Sequence, residues 1–171
     1  MNQANDESGP HWPAGVADQI TIELHNAVSY STIVYSASVN LSTTGTATLT
    51  VPSIHNGSYY VTIKNRNSIE TTTANPVNFS GTPISYTFDA QTKAYATNMG
   101  LMTDGVAVIY SGDENQDQIV DGTDLSDIGN LADVATNGYL PQDINGDGLV
   151  DGSDLSAAGN NADLAVGAIL P

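Results

Sequence analysis

The sequence predicts a mostly β chain closed by a small helical unit: an antiparallel β-sandwich over residues 16–110, then a pair of loop–helix repeats over residues 111–171. Three observations carry this reading. Short runs of apolar–polar alternation recur through the first 110 residues, at the period of two that a half-buried strand imposes. No long segment shows the 3.6-residue period of an amphipathic helix. A block near the end of the chain is written twice, thirty residues apart.

Taken in order, residues 1–15 are polar, are broken by Pro10, Pro13 and Gly15, and read as a tail or linker. Ile20, Ile22 and Leu24 then share one face of a strand, with Thr21, Glu23 and His25 on the other. Ile33, Tyr35, Ala37, Val39 and Leu41 repeat the pattern, and Gly45–Val51 alternates throughout. Tyr59, Val61 and Ile63 form a further face, followed by Ile84, Tyr86 and Phe88 and by the run Val106–Tyr110. Turn chemistry at Asn56-Gly57 and Ser80-Gly81-Thr82-Pro83 separates these runs. Six or seven short strands of this kind predict an immunoglobulin-like or prealbumin-like sandwich.

The duplicated block is the most specific signal. From Asp113 the chain reads D-E-N-Q-D-Q-I-V-D-G-T-D-L, and from Asp143 it reads D-I-N-G-D-G-L-V-D-G-S-D-L. Side-chain oxygens fall at loop positions 1, 3, 5, 9 and 12: Asp113, Asn115, Asp117, Asp121 and Asp124, then Asp143, Asn145, Asp147, Asp151 and Asp154. Ile119 and Leu149, at position 7, would lend backbone carbonyls. Such a loop surrounds one hard cation with six or seven oxygens, so the spacing predicts two calcium ions. Four carboxylates so close together repel one another without a divalent ion between them. Position 6 needs a left-handed backbone, which Gly148 supplies and Gln118 does not. A non-glycine there costs about 1 kcal/mol and marks loop one as the weaker site.

The two copies also match beyond the ligands, at Gly129-Asn130 and Gly159-Asn160, Ala132-Asp133 and Ala162-Asp163, and Leu140-Pro141 and Leu170-Pro171. On these residues, residues 111–171 resemble the dockerin type I family, paired calcium-loop modules that plug into cohesin domains. The resemblance implies one helix after each loop, none before it, and a cohesin-like protein partner, to which the self-assembly alternative adds copies of the chain itself. It also implies that this partner meets Thr123, Leu125, Ser153 and Leu155, just past the loops. Clostridial-type members carry hydroxyl residues at positions 10 and 11 and a basic pair about five residues past the loop. Here Gly122-Thr123 and Gly152-Ser153 supply half of the hydroxyls, and Gly129-Asn130 and Gly159-Asn160 replace the basic pair. Calcium binding therefore carries over, and binding to a standard cohesin does not. The stretch Gly57–Thr71, with Lys93-Ala94-Tyr95 and Tyr110–Asp113, resembles a β-sandwich that accompanies such repeats in secreted proteins of Bacteroidetes-like bacteria.

Composition narrows the function. Three bases (Lys64, Arg66, Lys93) stand against nineteen acids, for a net charge of −16. Nucleic acid and anionic membrane both require cationic surface, so neither is an expected partner. Residues 111–171 hold twelve acids and no base. No cysteine is present, and no apolar run is long enough to span a membrane. The start of the chain lacks the basic cap and apolar core of a signal peptide, so a mature secreted form or a fragment of a longer export product is expected. The expected location is outside the cell or at its surface.

No enzyme is expected. His11, His25 and His55 form no zinc-type pair, His25 falls on a polar strand face, and Asp18, Glu23, Glu70, Asp89 and Asp104 read as solvated acids. Lys64 and Arg66, two residues apart, read either as exposed bases on a strand or as a contact to the acidic repeats. The function expected is non-catalytic, calcium-dependent protein–protein attachment. The alternatives are a structural subunit that self-assembles into a calcium-dependent filament or sheath, and a carbohydrate-binding accessory module.

Overall fold

The computed structural model describes residues 1–171. The chain is mostly β, all its strand pairs are antiparallel, and its two α-helices both lie in the last third. Strands β1 (Asn5–Asp6) and β2 (Gly9–Pro10) form a small hairpin. The main sheet contains β3 (Val16–Asn26), β4 (Ile33–Ser42), β5 (Gly57–Asn65) and β6 (Ser68–Thr72) in the order β4-β3-β5-β6, with β7 (Val77–Phe79) also paired to β5. A second hairpin joins β8 (Gly100–Leu101) to β9 (Ala107–Val108). Helices α1 (Gly122–Ala132) and α2 (Gly152–Ala162) each follow one acidic loop, with no helix leading into it.

The alternation read from the sequence matches the register. Ile22 lies opposite Ala37 and Ile63, and Leu24 opposite Tyr35 and Val61, so one face of the sheet is continuous and apolar. Two expected strands differ. Residues 47–51 and 83–89 make no backbone–backbone hydrogen bond, so neither joins a sheet. Ala47, Leu49 and Val51 are nonetheless half-buried while Thr46, Thr48 and Thr50 are exposed. Alternation reports which side of a segment is covered, not whether the segment has a hydrogen-bonding neighbour. Of Val106–Tyr110, only Ala107–Val108 is strand.

The polar face also departs from expectation. Glu23, His25, Thr62, Glu70 and Thr72 are buried on it. Tyr30 folds over this face, stacking on the His25 ring at 4.2 Å and placing its hydroxyl 2.7 Å from Thr62 Oγ1 and 2.8 Å from Thr72 Oγ1. Lys64 lies 3.1 Å from Glu70 and 3.7 Å from Glu23, whose carboxylate is also 3.1 Å from His25 Nε2. His25, Glu23 and Glu70 are thus buried and partnered instead of solvated. Burial alone would disfavour the Lys64 charge, but its bond to Glu70 and the nearby charges of Glu70 and Glu23 hold its pKa above the usual lysine value.

Residues 1–15 are not a free tail. The β1–β2 hairpin is tied down by Ala4 N donating to Ala17 O at 2.8 Å and Asn5 N donating to Gly146 O at 3.0 Å. Behind it the His11 ring stacks on Tyr139 at 4.1 Å, and Trp12 meets both rings edge-on.

The repeat unit meets the sheet in two places. Along the outer edge of β6, Ile69 N donates to Tyr110 O and Gly112 N to Asn67 O, while Ile69 packs with Val120, Val166 and Tyr110. Gly112, at φ +115°, allows a close crossing here, because a Cβ would lie 2.8 Å from Val120 and 3.1 Å from the Ala158 backbone. At the β5–β6 turn, Arg66 Nε donates to Asp18 at 3.3 Å. Its Nη1 donates to the Asp143 carbonyl at 2.8 Å and to the Leu140 carbonyl, and its guanidinium sits 4.7 Å from the centre of the Tyr139 ring. Of the two readings of this base pair, Arg66 fits the contact to the acidic repeats, and Lys64 instead serves the sheet.

Removing one member of a buried ion pair costs about 3–5 kcal/mol, because the partner charge stays behind. Arg66→Met is therefore expected to lower stability to urea by about 3 kcal/mol. Arg66→Lys should recover little, since an ammonium cannot serve Asp18 and two carbonyls in one plane. A loss under about 1 kcal/mol for Arg66→Met would show that this contact does not hold the junction.

Candidate metal centre

Each loop leads into its helix through the same cap. Asp121 accepts from Thr123 N at 2.7 Å while Asp124 accepts from Asp121 N at 2.9 Å. In loop two, Asp151 accepts from Ser153 N at 2.7 Å and Asp154 from Asp151 N at 3.0 Å. These are reciprocal capping boxes with acids at both positions, which also suit the positive end of the helix dipole. The acids at positions 9 and 12 therefore have a structural task with or without a metal.

The rest of each loop turns around its first Asp. Asp113 accepts from Asp117 N at 3.0 Å and Gln118 N at 3.2 Å; Asp143 accepts from Asp147 N at 3.1 Å and Gly148 N at 3.0 Å. Asn115 and Asn145 accept from the position-5 amides at 2.8 Å, and Asp117 and Asp147 from the position-7 amides at 3.1 and 3.0 Å. The Ile119 and Leu149 carbonyls accept no backbone hydrogen bond.

The two loops also clasp each other. Val120 N donates to Val166 O and Ala168 N to Gln118 O, and thirty residues away Val150 N donates to Thr136 O and Gly138 N to Gly148 O. Each loop is thereby paired with the segment that follows the other repeat's helix.

Asp113, Asp124, Asp143 and Asp154 are buried, with at most 1% of their surface exposed. Burial raises the Asp113 pKa to about 6, reinforced by the charge of Asp124, and burial also raises that of Asp143. Positions 3 and 5 remain exposed in both loops. As placed, the carboxylates turn to backbone amides, and no three acidic or histidine side chains are drawn together tightly enough to hold an ion. The donor set still fits calcium, being all oxygen, with buried carboxylates at both ends of each loop and an unused carbonyl at position 7.

Of the residues expected to meet a partner, Thr123 and Ser153 are exposed. Leu125 and Leu155 are half-buried and pack on the inter-repeat core of Ile128, Val150 and Ala158. That pair serves the fold first.

Two features lay outside the sequence reading. Glu114, at position 2 of loop one, is buried, and its pKa rises to about 7 through burial and the nearby charges of Asp127 and Asp124. Its Oε2 accepts from Gln142 at 2.6 Å and its Oε1 has no partner. The second feature is position 4. Both Gln116 (φ +61°) and Gln118 (φ +79°) are left-handed, matching Gly146 and Gly148. Gln116 offsets that conformation by donating to Ser68 O at 3.2 Å and Asp113 O at 2.7 Å. A signal for position 4 was present, since Gly146 aligns with Gln116.

Comparison of the chain with models of protein families, with curated proteins and with solved structures returned no match. No helix is long and apolar enough to cross a membrane.

Gln118→Gly is expected to stabilise the ion-free protein by about 1 kcal/mol, because it removes left-handed strain from an exposed side chain. Gln116→Gly should give no gain, since it also removes two hydrogen bonds. Denaturant melts of both variants check this, and an equal gain from both would mean that the Gln116 bonds contribute nothing.

Proposed function

We propose that this chain is a non-catalytic extracellular attachment module in which a β-sandwich-type domain carries a dockerin-like, calcium-stabilised repeat pair. The observation that carries the reading is the shared hydrogen-bond scheme of the two loops, at positions 1, 3, 5, 9 and 12, around four buried aspartates with no base among the repeat's own residues. The residues to hold the ions are Asp113, Asn115, Asp117, Ile119, Asp121 and Asp124, and Asp143, Asn145, Asp147, Leu149, Asp151 and Asp154. Bound calcium supplies positive charge among acids that otherwise repel. The chain's own part is to fix each loop on a helix cap and clasp it to the other repeat. Metal binding then contributes folding energy directly, because the unfolded chain offers no such site. The half-buried face of residues 47–51 supports the sandwich reading, since that segment covers the sheet beside Tyr35, whose hydroxyl lies 3.4 Å from Thr50 O.

Calorimetry should resolve two calcium ions per chain. Chelator should speed amide exchange sharply after residue 111 and only slightly in β3 to β6. Equal protection on both sides of residue 111, with and without chelator, would sink the calcium reading.

The expected attachment surface is the exposed pair Thr123 and Ser153 at the two helix starts. With calcium saturating, capture of a partner from the native secretome should survive Thr123→Arg or Ser153→Arg alone and be lost in the double variant. Undiminished capture by the double variant would place the attachment surface elsewhere.

A further inference from the structure

Charge is distributed unevenly over this molecule. From Asn26 to Ile63, and again from Thr71 to Phe88, the sequence has no Asp, Glu, Lys or Arg, although the whole chain carries a net charge of −16. In the fold these stretches supply β4, most of β5, β7 and the unpaired segments 47–51 and 83–88. One end of the main sheet is therefore neutral while the acids concentrate at the other, in the repeat unit. Exposed apolar side chains accompany the neutrality: Val28 is 97% exposed, Ile54 85% and Ile33 49%.

The two edges of the sheet are also treated differently. The outer edge of β6 is closed, by Ile69 N to Tyr110 O, Gly112 N to Asn67 O and a bridge from Thr73 to Ala94. The outer edge of β4 is closed only at its two ends, by a bulge at Val34 and by Ser42 N donating to Thr46 O, and no segment covers it from Tyr35 to Leu41. β4 is ten residues long, pairs only with β3, and contains no charge and no proline. Native sheets usually protect an edge with lysine, proline, a bulge or a covering segment, because unpaired N–H and C=O groups are a template for another strand.

We infer that the β4 edge is a homotypic interface at which a second copy of this chain pairs its own β4 antiparallel, joining two sheets into one across a twofold axis. An antiparallel pair of identical strands satisfies twofold symmetry, with the same patch on both partners. Charge selects the occupant: two copies at −16 repel through almost every other surface, and this neutral end is where they meet without bringing acids together. The interface is separate from the helix starts of the repeat unit and does not rest on calcium.

The test is sedimentation equilibrium of the full chain at low salt and at about 0.5 M salt, in calcium and in chelator. Dimer is expected, tighter at high salt because screening weakens repulsion between like-charged copies, and retained in chelator. Ser38 is exposed on β4, where its hydroxyl meets Thr21 Oγ1 at 3.2 Å. Ser38→Lys and Ser38→Asp should each weaken the dimer at least tenfold. Association governed by net charge alone would instead be strengthened by Lys and weakened by Asp, and that outcome overturns the proposal. So does a monomer at all concentrations, or a dimer indifferent to both variants. Should either variant misfold, amide exchange of the unmodified chain decides: protection of the outward β4 amides must rise with protein concentration. Protection that is constant, or absent, across that range overturns the pairing.

Discussion

The guanidinium of Arg66 is the contact on which the junction between sheet and repeats depends. It emerges from the β5–β6 turn into a place where Asp18, Tyr139, the Leu140 and Asp143 carbonyls and the first hairpin converge. Asp18 is itself buried and accepts from Tyr139 Oη at 2.5 Å and from Gln19 N at 2.7 Å, so its charge is held by one cation, one hydroxyl and one amide. Burial and the Asp18 bond raise the Tyr139 pKa to about 12, which keeps that hydroxyl a donor. A lysine could supply the charge but not several directed donors in one plane. In a chain with three bases, one is committed to the acidic loops and one to Glu23 and Glu70.

This arrangement makes the two repeats unequal in spite of their sequences. Loop two is covered: the β1–β2 hairpin lies over it, and a Cβ on Gly148 would stand 2.9 Å from the Asp6 carbonyl. Glycine is required there for space as well as for φ. Loop one sits against β6 through backbone pairing and the apolar contact of Ile69 with Val120 and Val166, and its Gln118 faces solvent. The sheet thus turns a near-exact duplication into one sheltered loop and one open loop. If both take calcium as proposed, shelter and glycine geometry favour loop two.

The segregation of charge has a second consequence. Repulsion among the acids of the repeat unit is a local matter for the helix caps and Arg66. The neutral half of the sheet is free of it and rests on apolar alternation and on the hydroxyl network of Tyr30, Thr62 and Thr72. Two surfaces with different physics result, one acidic and helical, the other neutral and strand-edged.

The sequence by itself determined the local periods. Alternation placed β3, β4 and β5, the thirty-residue echo placed both loops, and the family resemblance implied a helix after each, because a twelve-residue turn is fixed by residues close along the chain. It missed β6, which is buried on both faces and does not alternate, and β7, which is only three residues long. It assigned strands to residues 45–51 and 84–88, where the alternation is present but the hydrogen-bonding neighbour is not. Only the tertiary structure decided that residues 1–15 fold onto loop two, that the polar face of the sheet closes under Tyr30, and that Arg66 spans two units. Each of these depends on groups tens of residues apart meeting in a space that excludes water, and no local pattern records such a meeting.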